Sequence, residues 1–270
     1  MAARHVALVT GGGRGIGKAI ALRLAREQVA VFVAARSQEA CIDVSDEIRR
    51  GGGTAWPIHL DVGDPESVQQ AVEDAIDLAH AIGPVDWLVN NAGFVESRPF
   101  LDHGRETGVD GYERHLRINF HGPRWMIEAL VPGMIERGYG RVVNVASSAG
   151  LRSYAYAAAY GASKHALVGY SQAAAQELAK TRVTMNLVCP HYVDSPMTDD
   201  SVARIVGKTG RTAEDTRAFL AKQNPGGTLI GVDEVADVAW QLLAGDRNGA
   251  LVELLGGKGV LPPEKTVVWR

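Results

Sequence analysis

Cysteine is scarce in these 270 residues. Cys41 and Cys189 are the only two, and neither sits among residues at metal-ligand spacing. That excludes a disulfide scaffold, makes a metal centre unexpected, and suits a reducing compartment. An excess of one charge is lacking too. Lys and Arg number 28 against 31 Asp and Glu, a net charge of −3. Such a balance offers no field for nucleic acid, and no basic run stands out as an interaction tail. Long hydrophobic runs are also missing. Nothing is long enough to span a bilayer, and no charged-then-apolar leader precedes the first apolar segment. A cytoplasmic protein is expected, with neither membrane nor nucleic acid as partner.

What the chain has is alternation. Strand-like apolar runs occupy Val6–Thr10, Val29–Ala35, Ala55–Leu60, Val85–Asn90, Arg141–Ala146, Thr184–Cys189 and Ala250–Leu254. Helix-period segments lie between them, at Ile16–Glu27, Gln38–Arg50, Pro65–Ala81, Gly111–Arg137, Ala157–Lys180 and Val232–Leu243. Continuous apolar strands joined by helices imply a parallel sheet buried on both faces. The fold class expected is α/β, a single-domain doubly wound (Rossmann) sheet of about seven strands with helices on both faces. Two stretches break the rhythm. Glu96–Asp110 reads as a polar loop. Ser195–Gly227 reads as a mixed excursion with helical pieces at Ser201–Val206 and Ala213–Lys222. Excursions after the C-terminal ends of strands are where such proteins place substrate contacts, although surface insertion is the plainer reading.

The first strand runs into Thr10-Gly11-Gly12-Gly13-Arg14-Gly15-Ile16-Gly17 and then a helix. A glycine turn at a helix N-terminus lets backbone N–H groups approach a pyrophosphate, and the helix dipole favours its charge. The spacing, T-G-x-x-x-G-x-G, resembles the classical short-chain dehydrogenase/reductase family. Further residues carry the likeness. Asn90-Asn91-Ala92-Gly93 follows the fourth strand. Tyr160-Gly161-Ala162-Ser163-Lys164 opens a helix, with Tyr160 and Lys164 on one face. Ser147 ends the preceding strand, and Asn119 sits in the long fourth helix. The four resemble the family's Asn-Ser-Tyr-Lys tetrad in order and placement. Ser148 is the competing hydroxyl, but the spacing to Tyr160 and Gly150 favours Ser147.

Ketone reduction explains those residue types. Hydride arrival leaves negative charge on the carbonyl oxygen, which needs a hydrogen-bond donor and a proton. Ser147 suits the first need and Tyr160 the second. A free phenol ionises near ~10, and an ammonium at Lys164 is expected to draw that value towards neutrality. The resemblance further implies that Lys164 holds the nicotinamide ribose and that Asn119 stabilises a helix distortion and a proton path.

The resemblance assigns the cofactor contacts as well. Gly11, Arg14, Gly15, Ile16 and Gly17 form the phosphate turn, Asp61 and Val62 meet the adenine, and Asn91, Ala92 and Gly93 line the adenosine side. Pro190-His191-Tyr192-Val193-Asp194-Ser195-Pro196-Met197 resembles the family's P-G-x-V-x-T-x-M segment, so Pro190, Val193 and Ser195 hold the carboxamide. His191 replaces the usual glycine, and it either shapes the pocket or points to solvent. Where NAD-preferring relatives carry an acid at the end of the second strand, this chain has Ala35 followed by Arg36. Arg14 and Arg36 together suit a ribose 2′-phosphate, so NADP(H) is the expected cofactor.

Phe94, Leu151, Tyr154, Tyr156, His191, Tyr192 and Met197 are the candidate substrate-pocket residues, and their character suggests a sizeable apolar substrate. Arg152 pairs either with an anionic substrate group or with solvent. Arg204, Lys208, Arg211, Arg217 and Lys222 could meet the phosphates of a CoA or acyl-carrier thioester, or form a solvated face. The resemblance covers residues 5 to about 257, leaving 258–270 as a C-terminal extension, and implies a homotetramer. The expected activity is reduction of a 3-oxoacyl, polyketide-type or other bulky apolar ketone. The alternatives are a dehydrogenase of a small aryl or alicyclic alcohol or diol, and a non-catalytic NADP(H)-sensing protein.

Overall fold

Strands form where β-branched and aliphatic residues run without interruption, and helices where those residues recur at helical spacing. The computed structural model describes residues 5–102 and 110–256. The expected extension at 258–270 lies outside them, as does most of the second half of the Glu96–Asp110 loop. In chain order the elements are β1 (Val6–Thr10), α1 (Gly15–Arg26), β2 (Ala30–Ala35), α2 (Gln38–Arg50), β3 (Ala55–His59), α3 (Pro65–Ala79), β4 (Trp87–Asn90) and α4 (Gly111–Leu116). A π-helical turn (Arg117–His121) leads into α5 (Gly122–Glu136), β5 (Gly140–Val145) and a 3-10 turn (Ser148–Gly150). The remainder is α6 (Ala158–Leu178), β6 (Val183–Pro190), α7 (Pro196–Thr209), α8 (Ala213–Gln223), α9 (Val232–Ala244) and β7 (Leu251–Leu254).

The strands make one parallel sheet of order β3-β2-β1-β4-β5-β6-β7. Order reverses between β1 and β4, where Leu8 lies opposite Leu88. Helices α1, α2 and α9 cover one face through Leu24, Val44 and Leu242. Helices α3, α5 and α6 cover the other through Val68, Met126 and Leu178. Both faces are therefore dry, which is why β1, β4 and β6 are buried throughout. No helix among the described residues is long and apolar enough to cross a membrane.

Helix starts follow side-chain chemistry. Ser37 accepts from the Ala40 N–H, and Asp64 accepts from Glu66 ahead of Pro65. Thr212 accepts from Asp215, and Glu234 accepts the Gly231 N–H. Two expected elements differ. The fourth helix, expected over Gly111–Arg137, is interrupted by the π turn, which falls where the resemblance implied a helix distortion at Asn119. Gly122, just after it, sits so close to the third strand's exit that a Cβ there would lie 2.6 Å from the Val62 carbonyl oxygen. In the excursion, α7 is longer than the expected Ser201–Val206. It starts at Pro196, which needs no N–H partner, and ends at Gly210, whose φ of 69° is left-handed.

Gly122→Ala would push α5 away from Val62. It is expected to cost about 1–3 kcal/mol through overpacking, read as a lower urea midpoint at unchanged slope. Unchanged stability would contradict the close approach.

Candidate active site

A crevice of about 870 Å³ opens over the C-terminal ends of the strands at the point where their order reverses. Its first wall is the turn after β1. Gly11 and Gly15 adopt φ values of +64° and +54°. Gly17 packs so tightly that a Cβ would lie 2.2 Å from the Gly11 carbonyl oxygen, so only glycine lets α1 start there. Arg14 is the extended N-cap of α1. It makes no side-chain cap bond, and the first turn contains no acid. The free N–H groups and dipole of this helix end therefore lack a side-chain counter-charge, as an anionic phosphate site requires. Gly11, Gly13, Arg14, Gly15 and Ile16 line the crevice, and this set fits a dinucleotide pyrophosphate.

The turn is tied to β4. The Thr10 Oγ1 accepts N–H bonds from Asn91 and Ala92, each 3.0 Å. In return the Asn91 amide donates to the carbonyls of Thr10 (3.0 Å) and Gly11 (3.3 Å). Arg36, Asp61, Val62, Asn91, Ala92 and Gly93 continue the wall. Arg36 is exposed and makes no ion pair among the described residues. Arg14 stands 3.9 Å from Asp200, both well exposed.

Ser147, Tyr160 and Lys164 meet midway along the crevice. Ser147 caps the 3-10 turn by accepting the Ala149 N–H at 3.1 Å. The Lys164 Nζ donates to the Val145 carbonyl at 3.0 Å and lies 5.9 Å from the centre of the Tyr160 ring. Burial dominates both groups. It pushes the Tyr160 phenol up to about 12, the Ser147 hydroxyl opposing it. It pulls the Lys164 ammonium, 4% exposed, down to about 8. The expectation that Lys164 draws Tyr160 towards neutrality is thus corrected. In the protein without cofactor, burial moves the phenol the other way.

Asn119 is fully buried in the π turn and does not line the crevice. Its amide donates to the Phe94 carbonyl (2.8 Å) and the Ser163 Oγ (3.0 Å) and accepts the Phe94 N–H (2.8 Å). It braces the chain behind the tetrad, one turn of α6 from Tyr160.

A model of the short chain dehydrogenase family matches residues 5–205. The chain belongs to that family. A crystal structure of a variant of actinorhodin polyketide ketoreductase with NADPH superposes with a TM-score of 0.85, at 32% identity over 93% of this chain and 96% of that one. The cyclohexanol dehydrogenase of Acinetobacter sp. (strain SE19) is 34% identical, covering 90% of this chain and 89% of its own. The 3-oxoacyl-acyl-carrier-protein reductase FabG of Escherichia coli (strain K12) is 32% identical over 93% and 96%.

Within this short-chain dehydrogenase fold, Pro190, His191, Tyr192, Val193, Ser195 and Met197 form a further wall of the crevice, with Ser195 and Pro196 beside Gly15 of the glycine turn. Ser195 caps α7 without a side-chain bond of its own. Of the candidate substrate residues, Phe94, Tyr154, His191, Tyr192 and Met197 line the crevice, and Leu151 and Tyr156 do not. Leu151 packs instead on the cluster of Ala146, Leu167 and Val168. Tyr156, at a φ of 62°, turns outward and is 65% exposed.

His191 points inward. Its side chain is 3% exposed, and its Nε2 meets the Glu253 carboxylate at 2.7 Å. Arg152, its side chain 47% exposed, binds the same carboxylate at 2.6 Å. In the excursion, Arg217 is held by Asp194 and Asp199, and Arg211 lies over the Phe219 ring. Sequence reasoning missed Thr198, Ser201, Ile205 and Leu220, which α7 and α8 bring into the crevice. The amphipathic pattern of α7 was the available signal, but nothing local fixed which way it folds.

Lys164 also sets a stability signature. Its ammonium ionises at 10.5 in the unfolded reference and at about 8 when folded. Between those values the unfolded chain binds more protons, so stability rises with pH. Below pH 8 the burial cost is fully present, on the order of 3 kcal/mol. Melting curves of the protein without cofactor should therefore shift in favour of wild type over Lys164→Met as pH rises from about 8 to 10. A pH-independent difference would contradict the buried ammonium.

Proposed function

We propose that this protein is an NADP(H)-dependent oxidoreductase. It passes hydride between the nicotinamide and a ketone or secondary alcohol, with a bulky, mostly apolar ketone of 3-oxoacyl or polyketide type as substrate. The observation that carries the reading is one crevice lined by Ser147, Tyr160 and Lys164 at its middle and by Arg14 and Arg36 at one end. The reduced cofactor supplies the hydride. Tyr160, its phenol held up at about 12, keeps its proton through neutral pH and gives it to the oxygen that becomes an alcohol. Ser147 donates to the same oxygen and holds it in place. Lys164 remains largely an ammonium at neutral pH and binds the ribose hydroxyls. Asn119 acts from behind, fixing the backbone at Phe94.

The remaining wall supports the proposed cofactor contacts. Gly11, Gly15 and Ile16 present N–H groups to the pyrophosphate, and Gly17 allows the approach. Asp61 and Val62 take the adenine, beside Asn91, Ala92 and Gly93. Pro190, Val193 and Ser195 hold the carboxamide. Arg14 and Arg36 flank the 2′-phosphate, a charge-assisted pairing that a ribose hydroxyl cannot match.

The 3-oxoacyl and polyketide names among the relatives support a thioester substrate on CoA or an acyl carrier, while the cyclohexanol dehydrogenase supports a second reading, an alicyclic alcohol. The line of small residues Ala162, Ala166 and Gly169 on α6, the first and last exposed and Ala166 half-buried, with open space beside Gly169, suits close helix approach in a homotetramer. Two free, buried cysteines suit a cytoplasmic setting.

Tyr160→Phe should cut turnover of a ketone and thioester panel by about 100- to 10,000-fold while leaving the Kd for NADPH unchanged. Retention of most of kcat would refute the acid assignment. Tight NADPH binding without turnover by wild type would favour the sensing alternative. Replacing both Arg14 and Arg36 with Ala should weaken NADPH far more than NADH in fluorescence titration. Tighter binding of NADH by wild type would refute the cofactor reading.

A further inference from the structure

Residues 94–98, the wall that follows β4, belong to no strand or helix, so their backbone groups must find partners elsewhere. Three alternate N–H groups do. Phe94 donates to the Asn119 Oδ1 at 2.8 Å, Glu96 to the His115 Nε2 at 3.1 Å and Arg98 to the Tyr156 carbonyl at 3.0 Å. Asn119 and His115 stand one turn apart, across the junction of α4 and the π turn. They clamp one segment at two points, and that segment carries Phe94, Val95 and Ser97 into the crevice. The Asn119 point belongs to the tetrad. The His115 point does not.

His115 is fully buried, and its two nitrogens have fixed tasks. Nδ1 lies 2.6 Å from the Gly111 carbonyl oxygen, which only accepts, so Nδ1 carries the proton. Nε2 meets the Glu96 N–H, which only donates, so Nε2 offers its lone pair. Both partners are backbone groups, whose donor and acceptor roles cannot be exchanged. The ring has aromatic neighbours too. It lies 4.8 Å from the Phe94 ring and 6.3 Å, in a T-shaped arrangement, from the Tyr160 ring. Arg114 covers the Phe94 ring at 4.1 Å, so α4 grips this segment by ring contact as well as by backbone. A purely apolar ring at 115 would fill the same space but leave the Glu96 N–H without its acceptor, a cost the wall escapes only by moving.

We infer that His115 is a positioning residue for the carbonyl substrate. By accepting the Glu96 N–H it fixes the wall of Phe94, Val95 and Ser97, and so sets KM for the ketone while leaving NADPH affinity alone. The inference rests on the reductase reading above and deepens it, since a buried side chain of α4 then governs how tightly the ketone is held.

The test uses the intact enzyme, NADPH and whichever member of the ketone and thioester panel wild type reduces with the highest kcat/KM. His115→Phe keeps a ring beside Phe94 and Tyr160 but has no acceptor. It should raise KM by about five- to tenfold, the worth of one hydrogen bond, with kcat within about twofold and the Kd for NADPH unchanged. His115→Gln, whose amide oxygen can take the N–H, should recover most of the loss. Amide exchange at Glu96, followed by mass spectrometry of peptides spanning 94–98, should be slow in wild type and in His115→Gln and fast in His115→Phe. His115→Leu, also without an acceptor, gives the same readings if the Phe variant does not fold. A wild-type KM in the variants lacking the acceptor, a Kd for NADPH that rises in step with KM, a KM in His115→Gln no lower than in His115→Phe, or rapid exchange at Glu96 in wild type would overturn the role of His115 and leave the reductase reading standing. Failure of wild type to reduce any ketone would overturn both.

Discussion

The exchange of hydrogen bonds between Thr10 and Asn91 is the constraint on which the rest depends. Thr10 ends β1 and Asn91 follows β4, the two strands between which the sheet reverses its order. Thr10 takes two N–H bonds from the β4 exit, and the Asn91 amide returns two donors to the β1 exit. Neither strand end can then splay. The glycine turn is pinned on one side by this clasp and on the other by Gly17 against the Gly11 carbonyl. Asn90 extends the frame inward through Asn144 to Ser171 on α6. The helix bearing Tyr160 and Lys164 is thereby tied to the sheet that carries the phosphate turn. A crevice between two packed faces is wide only where chain reversals hold it open, and these side chains do so.

The same packing sets the electrostatics. Lys164 and Cys189 lie deep in the wall, and Tyr160 opens only onto the crevice. Burial pushes Tyr160 and the Cys189 thiol up to about 12 each and pulls Lys164 down to about 8. Every shift favours the neutral form, as expected for a floor poor in water. Without cofactor the Tyr160 phenol therefore keeps its proton through neutral pH.

Much of this was legible in the sequence because it is local. Continuous apolar strands and helical periodicity announced the doubly wound sheet, and the turn before Gly17 and the spacing of Ser147, Tyr160 and Lys164 depend on near neighbours. Where long-range packing decides, the reading failed. Gly122 meets Val62, sixty residues earlier, a contact the helical pattern did not show, although the resemblance implied the distortion at Asn119 itself. Leu151 and Tyr156 looked like pocket residues by position, but one faces a core cluster and the other solvent. Burial at Tyr160 reversed an expectation drawn from the charge on Lys164. Arg152 and Glu253 pair from 101 positions apart, and only the pairing of β6 with β7 brings His191 and Glu253 together.

The central claim is hydride transfer within this crevice, and the most direct measurement is stopped-flow decay of NADPH absorbance in a single turnover with a reducible ketone. With cofactor deuterated at the transferring carbon, the decay should slow severalfold, because a C–H bond breaks in the observed step. An identical decay with both isotopologues at saturating ketone, or no decay at all, would contradict the account.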